Sequence, residues 1–142
     1  MQTRPLVDGL AVAPQIDVAD IPLLARQGVR GIINNRPDGE APGQPTGAEL
    51  AAAASAAGIQ YRHVPFAGGG IDPATVDDFA QALAELPHPV VAFCRSGMRS
   101  TTLWALAAAR EGRAVDDIIA RAGDAGYDLA GLAPWLAAQS PR

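Results

Sequence analysis

Lysine is absent from this chain: all 11 Lys/Arg residues are arginines, and no run of them makes a basic segment. Set against 15 Asp and Glu they leave a formal charge of -4, which argues against nucleic acid as the main partner. Cysteine occurs once, as Cys94, so no internal disulfide can form. Histidine is limited to His63 and His88, too few beside one thiol to suggest a dedicated metal site. No apolar run approaches the ~20 residues that a bilayer-spanning helix needs. The opening Met1-Gln2-Thr3-Arg4-Pro5 lacks the apolar core of a signal peptide. The expectation is a cytoplasmic protein with no membrane association and no cofactor.

What is present suits one domain over residues 1–142, long enough for a hydrophobic core and rich in alanine. Leu6 to Ala13 reads as a first strand, at an edge of the sheet. Asp17 to Gln27 reads as a helix with Asp17 or Asp20 as cap and Gly28 as stop. Val29 to Asn34 is a short buried strand, and the turn-rich segment Asn35 to Pro45 is a loop. Thr46 with Glu49 has capping-box spacing and starts an alanine-rich helix that ends at Gly58. Ile59 to Phe66 alternates as a strand, Gly68-Gly69-Gly70 turns the chain, and Asp72-Pro73 opens a helix carrying Val76, Phe79, Ala80, Leu83 and Leu86. Val90 to Phe93 is a further strand and Thr101 to Arg110 a helix with Leu103, Trp104, Leu106 and Ala107 inward. Two more helices fall near Val115 to Gly123 and Leu129 to Gln139. Strands alternating with helices imply an α/β fold, with a central, mostly parallel sheet covered on both faces.

The segment Cys94-Arg95-Ser96-Gly97-Met98-Arg99-Ser100 carries the chemistry. It follows a buried strand and precedes a helix, so Cys94 lies beyond the carboxyl end of a parallel strand, where such folds bind ligands. Gly97 lets the backbone N–H groups of the loop curl around one centre, and the helix adds the positive end of its dipole. Both favour negative charge on sulfur. Arg99 adds a full positive charge and can hold an oxyanion bidentately. A buried structural cysteine is the plainer alternative, but it does not explain a glycine and two arginines within the next five residues.

Two resemblances follow. The loop Cys94 to Ser100 resembles the active loop of single-domain rhodaneses, which carry a persulfide on the cysteine. Over residues ~5 to 110 the chain resembles the beta-lactamase-hydrolase-like phosphatase-like domain family. The features that carry this are Asn35-Arg36-Pro37-Asp38-Gly39-Glu40, Tyr61-Arg62-His63-Val64-Pro65, the cysteine loop and the Trp104 helix. The family resemblance implies the fold of dual-specificity tyrosine phosphatases. Its members occur alone or fused to a metallo-β-lactamase-fold domain, and the lack of a His-rich motif suggests the stand-alone form.

Against tyrosine phosphatases the sequence departs in three ways. Their loop places five residues between cysteine and arginine, whereas Arg99 follows Cys94 after four and Ser100 takes the later position. Their cysteine follows a histidine, and here Phe93 stands in that place. Their acidic residue follows the preceding strand, where this chain has Ala67, Gly68, Gly69 and Gly70, with no carboxylate until Asp72. Asp72 itself fits the role of helix cap before Pro73.

General acid help is worth ~10²–10⁴-fold in rate, whereas sulfur transfer from a donor with a stable anionic leaving group needs less of it. The leading expectation is therefore a rhodanese-like sulfurtransferase on a phosphatase-like fold. Cys94 would carry a persulfide, Arg99 would hold the donor, and a thiol or cyanide would accept the sulfur. The alternative is a cysteine phosphatase working through phosphocysteine, with Asp38 or Asp72 as acid. A third is a non-catalytic anion-binding or redox-sensing module. The partner is a small anion, either a sulfane-sulfur donor or a phosphate ester.

Among the other candidates, Arg36 and Asp38 would bind or protonate substrate, or merely form a turn. Arg95 would recruit anions at the mouth or stay solvated. Ser96 and Ser100 would donate to the thiolate, with Ser100 alternatively capping the helix, and Met98 completes the loop. His63 reads as a satisfied core histidine, His88 as surface, and Phe79 and Trp104 as core.

Overall fold

Asp8-Gly9 reverses the chain between β1 (Arg4–Val7) and β2 (Leu10–Ala13), which pair antiparallel. The single strand expected over Leu6 to Ala13 is therefore a hairpin. An Asp-Gly pair is strong hairpin chemistry, and Gly9 takes the positive φ of 84° that such a turn needs. The computed structural model describes residues 1–70 and 72–141.

The remaining strands are β3 (Gly31–Asn34), β4 (Gln60–His63) and β5 (Val90–Phe93). The sheet order is β1-β2-β5-β3-β4, and every pairing except the first is parallel. The fold is thus the expected α/β architecture with a mostly parallel sheet. β3 and β5 lie inside the sheet and are buried along their whole length, as continuous apolar runs in parallel sheets are. β4 is an edge strand, shorter than the expected Ile59 to Phe66 and mostly exposed.

The two faces of β5 show how the layers divide. Val90 and Ala92 point into one core with Val12, Ile33, Phe79, Trp104 and Leu106. Val91 and Phe93 point into the other with Ile16, Leu24, Ile32 and Leu50. This is the period-two alternation of a strand covered on both sides. The second core lies under α1 (Ile21–Arg26) and α2 (Gly47–Ala56). The first lies under α3 (Pro73–Glu85), α4 (Met98–Arg110), α5 (Val115–Asp124) and α6 (Ala133–Gln139).

The helix expected from Asp17 splits into a 3₁₀ turn, Val18–Asp20, and α1, because Pro22 favours a fresh start at the first helical turn. Asp17 and Asp20 do share the entry: the Asp17 N–H donates to Asp20 Oδ2 at 2.8 Å. At α2, Thr46 Oγ1 accepts from the Glu49 N–H at 3.1 Å, as the capping-box spacing predicts.

α4 is the central helix, and it begins at Met98 rather than at Thr101. Its burial extends well beyond one stripe, covering Ser100, Thr101 and every residue from Leu103 to Ala109. Small alanines at 105, 107, 108 and 109 let neighbouring helices approach it closely. Phe79 and Trp104 are core residues, as expected. Among the described residues no helix is long and apolar enough to cross a membrane.

Register sets the place of the site. Ala13, Phe93, Asn34 and His63 are aligned across β2, β5, β3 and β4 at the carboxyl edge of the sheet. The next residues, Cys94 and Asn35-Arg36, therefore emerge side by side.

Candidate active site

Cys94 leaves β5 fully buried, and its sulfur accepts a hydrogen bond from the Gly97 N–H at 3.1 Å. That amide belongs to the residue that caps α4, so the sulfur lies at the positive end of a long helix. Gly97 is required here on two grounds. Its φ is +95°, and a Cβ at this position would sit 2.1 Å from the Tyr127 hydroxyl oxygen. Tyr127 approaches so closely because its hydroxyl donates to the Ser96 carbonyl at 3.0 Å, clamping the outside of the loop. Burial, and then the charge on Cys94, push the Tyr127 hydroxyl above its usual range.

Arg99 follows two residues after Gly97, in the first turn of α4, and its guanidinium is held by Glu40 and the Phe66 carbonyl. Its Nη1 donates to Glu40 Oε2 at 2.8 Å and to the Phe66 carbonyl at 2.8 Å, and its Nη2 donates to Glu40 Oε1 at 2.8 Å. Three of the five guanidinium N–H bonds are thereby used, leaving Nε–H and one Nη2–H, the side-on fork that fits an oxyanion. Glu40, followed by the Cys94 charge, raises the Arg99 pKa.

Arg36 does not take the substrate-binding place expected of it. It is buried, with Nε on Glu40 Oε1 at 2.9 Å and Nη1 on Gln15 Oε1 at 3.0 Å. Its role is to fix Glu40, which fixes Arg99. The carboxyl of Glu40 is held down to about 2, chiefly by its hydrogen bonds to Arg99 and then to Arg36. Two cations and one carboxylate leave one positive charge beside the Cys94 sulfur. Sequence reasoning assigned Glu40 no function, although it lies four residues beyond Arg36 in the same loop. Gln15 and Tyr127 have no local signal at all, since they reach the loop from distant segments.

The remaining candidates separate by what they touch. Ser100 neither caps α4 nor faces the sulfur; its hydroxyl donates to Asn35 Oδ1 at 2.8 Å, both side chains being fully buried. Asn35 Nδ2 in turn donates to the Val64 carbonyl at 2.8 Å, tying β3, β4 and α4 together beneath the site. Ser96 Oγ accepts from the Met98 N–H at 3.2 Å, away from the sulfur. Arg95 is exposed, with its carbonyl accepting from the Gln15 N–H at 3.1 Å.

Asp38 Oδ1 accepts from the Gly47 N–H at 2.8 Å, so its carboxylate supports the start of α2. Asp72 accepts from the Ala74 N–H at 3.0 Å as the α3 cap. His63 is exposed rather than in the core, and its Nε2 pairs with the Arg36 carbonyl at 2.9 Å. His88 is at the surface, with Nε2 beside the Leu83 carbonyl at 2.9 Å.

A cleft of about 590 Å³ opens from Arg99. Its walls are Phe66, Gly68 to Gly70, Met98, Asp128, Leu132 and Trp135, among others. Met98 and Trp135 are among the few large apolar side chains exposed among the described residues. The site thus pairs a thiol under a helix N-terminus with a braced arginine and an apolar annex.

The family model for the phosphatase-like domain of the beta-lactamase hydrolase-like protein matches residues 2–111, from β1 through the cysteine loop to the end of α4. The chain belongs to this family. A curated relative, the beta-lactamase hydrolase-like protein of Agrobacterium fabrum, is 42% identical over 132 residues, which is 92% of this chain and 31% of the relative. This phosphatase-like domain therefore spans about a third of the length of that relative. The structure of a proposed phosphatase from Neisseria meningitidis superposes with a TM-score of 0.86 at 35% identity, covering 96% of both chains. The catalytic domain of a PP-IP phosphatase from Saccharomyces cerevisiae shares the fold, with a TM-score of 0.72 at 15% identity over 98% of this chain and 85% of that one.

Proposed function

We propose that this phosphatase-like domain is a cysteine-dependent phosphatase acting on a small phosphate monoester. The observation that carries the reading is the buried Cys94 sulfur receiving the Gly97 N–H at 3.1 Å at the head of α4. That arrangement sets the nucleophile at a helix N-terminus, where backbone N–H groups and the helix dipole favour negative charge. The likeness to a proposed phosphatase supports the same chemistry. Arg99, with its free side-on fork, would hold two oxygens of the phosphoryl group while Cys94 Sγ attacks phosphorus in line. The bond to the leaving oxygen breaks, giving phosphocysteine, and water then releases phosphate.

The loop spacing supports a second reading, sulfur transfer. With four residues between Cys94 and Arg99, the loop makes a smaller bowl than the phosphatase loop with five. In that reading Cys94 takes a sulfane sulfur from an oxyanionic donor on Arg99 and passes it to a thiol. The family and its phosphatase relatives favour phosphoryl transfer, and that is the reading adopted.

Parallel assays of aryl-phosphate hydrolysis and thiosulfate sulfurtransfer, on wild type and Cys94→Ser, test it. Hydrolysis that disappears in Cys94→Ser, without sulfurtransfer, is expected. Cys94-dependent sulfurtransfer without hydrolysis would overturn the reading in favour of the second.

A further inference from the structure

The phosphatase reading leaves one requirement unmet by the residues described so far, namely a proton for the leaving oxygen. The segment after β4, where tyrosine phosphatases carry their acid, presents Gly68 to Gly70 to the cleft. Asp38 and Asp72 are hydrogen-bonded to the amides that start α2 and α3 and, unlike Asp128, do not line that cleft. Glu40 lies between two guanidinium groups, which keep it ionised. Among the described residues lining the cleft beside Arg99, Asp128 is the one carboxylic acid.

We propose that Asp128 is the general acid and base of this site, supplied by the segment after α5 instead of the segment after β4. Its position is fixed from both sides. The preceding residue, Tyr127, is bonded to the cysteine loop through the Ser96 carbonyl at 3.0 Å. Asp128 Oδ1 accepts from the Ala130 N–H at 2.9 Å, which orients the carboxyl and leaves Oδ2 without a protein partner among the described residues. Asp128 lines the same cleft as Arg99, Leu132 and Trp135, so a leaving group lodged in that cleft would meet the Asp128 carboxyl.

As Cys94 Sγ bonds to phosphorus, the electron pair of the breaking P–O bond goes to the leaving oxygen, which takes the proton from Asp128 Oδ2. Asp128, now a carboxylate, then accepts a proton from the water that attacks phosphocysteine. Phosphate leaves with the Cys94 thiolate and protonated Asp128 restored, so the cycle needs no other reactant.

This proposal rests on the phosphatase reading, and leaving-group dependence separates the two. Kinetics are measured for wild type, Cys94→Ser and Asp128→Asn with dinitrophenyl phosphate, a good leaving group, and phenyl phosphate, a poor one. Asparagine keeps the oxygen that accepts from Ala130, and thermal melting checks that the variant is folded. In Asp128→Asn, kcat with phenyl phosphate is expected to fall by ~10²-fold or more, while dinitrophenyl phosphate is nearly unaffected. Equal losses on both substrates, or no loss on phenyl phosphate, would overturn the role of Asp128 while leaving Cys94 chemistry intact. Wild type without turnover of either ester would instead remove the phosphatase reading, and the proposal with it.

Discussion

Arg99 and Glu40, 59 residues apart in sequence, meet through two parallel hydrogen bonds of 2.8 Å. The pair fixes the guanidinium and leaves its Nε–H and one Nη2–H for a further partner. Arg36 completes the arrangement from below, and its burial makes Glu40 more than a surface partner. Breaking a partly buried ion pair by removing one member leaves the other uncompensated, which is the costly case.

Glu40→Gln separates orientation from charge. The variant keeps a hydrogen-bonding side chain but loses the carboxylate that fixes Arg99, while the local positive charge increases. Steady-state kinetics are expected to show kcat reduced by roughly 10-fold, equivalent to ~1.4 kcal/mol of transition-state stabilisation. KM for an anionic substrate is expected to stay the same or fall.

The same residue shapes the response to acid. The Glu40 carboxyl lies at about 2 in the folded protein against the usual 4.5. A depressed carboxyl stabilises the fold fully above its unfolded value, and that contribution is lost as pH falls through the folded one. Denaturant titrations between pH 4.5 and 2 are expected to show wild type losing stability more steeply than Glu40→Gln.

Gly97 is open to a direct test. Gly97→Ala places a side chain where φ is +95° and where Tyr127 already sits. The left-handed conformation alone costs a non-glycine residue ~1–2 kcal/mol, and displacing Tyr127 adds to it. Chemical denaturation is expected to show a loss at least that large. Activity is expected to fall further than stability explains, because the amide that faces the sulfur moves.

The sequence made the scaffold legible because its signals are local. Strand patterns, Thr46 and Asp72 caps and the stop at Gly28 each depend on residues a few places apart. The hairpin at Asp8-Gly9 is also local, yet the short alternating apolar pattern over Leu6 to Ala13 conceals it. In the site, Cys94, Gly97 and Arg99 were legible because their chemistry is crowded into one loop. The supports were not, since Glu40, Gln15 and Tyr127 gain meaning only when the carboxyl edge of the sheet brings distant loops together. Arg36 illustrates the limit: its residue type suggests anion binding, but its burial against Glu40 and Gln15 makes it a support.

Ser100 and Asn35 illustrate the same point within the core. Ser100→Ala removes the donor to Asn35 Oδ1 and leaves a buried acceptor unpaired. An unsatisfied buried polar group costs ~1–3 kcal/mol, and thermal or denaturant unfolding is expected to register a loss in that range. Asn35→Ala is expected to cost more, because it also deprives the Val64 carbonyl of its partner.

Phosphoryl transfer through phosphocysteine requires Cys94 itself to accept the phosphoryl group. Rapid acid quench of the enzyme with an aryl phosphate, followed by peptide mass spectrometry, reads this directly. A phosphoryl adduct is expected on the peptide containing Cys94, formed within the first turnover and absent in Cys94→Ser. An unmodified Cys94 peptide during steady turnover, or a sulfur adduct from thiosulfate in an enzyme that never acquires phosphate, would contradict it.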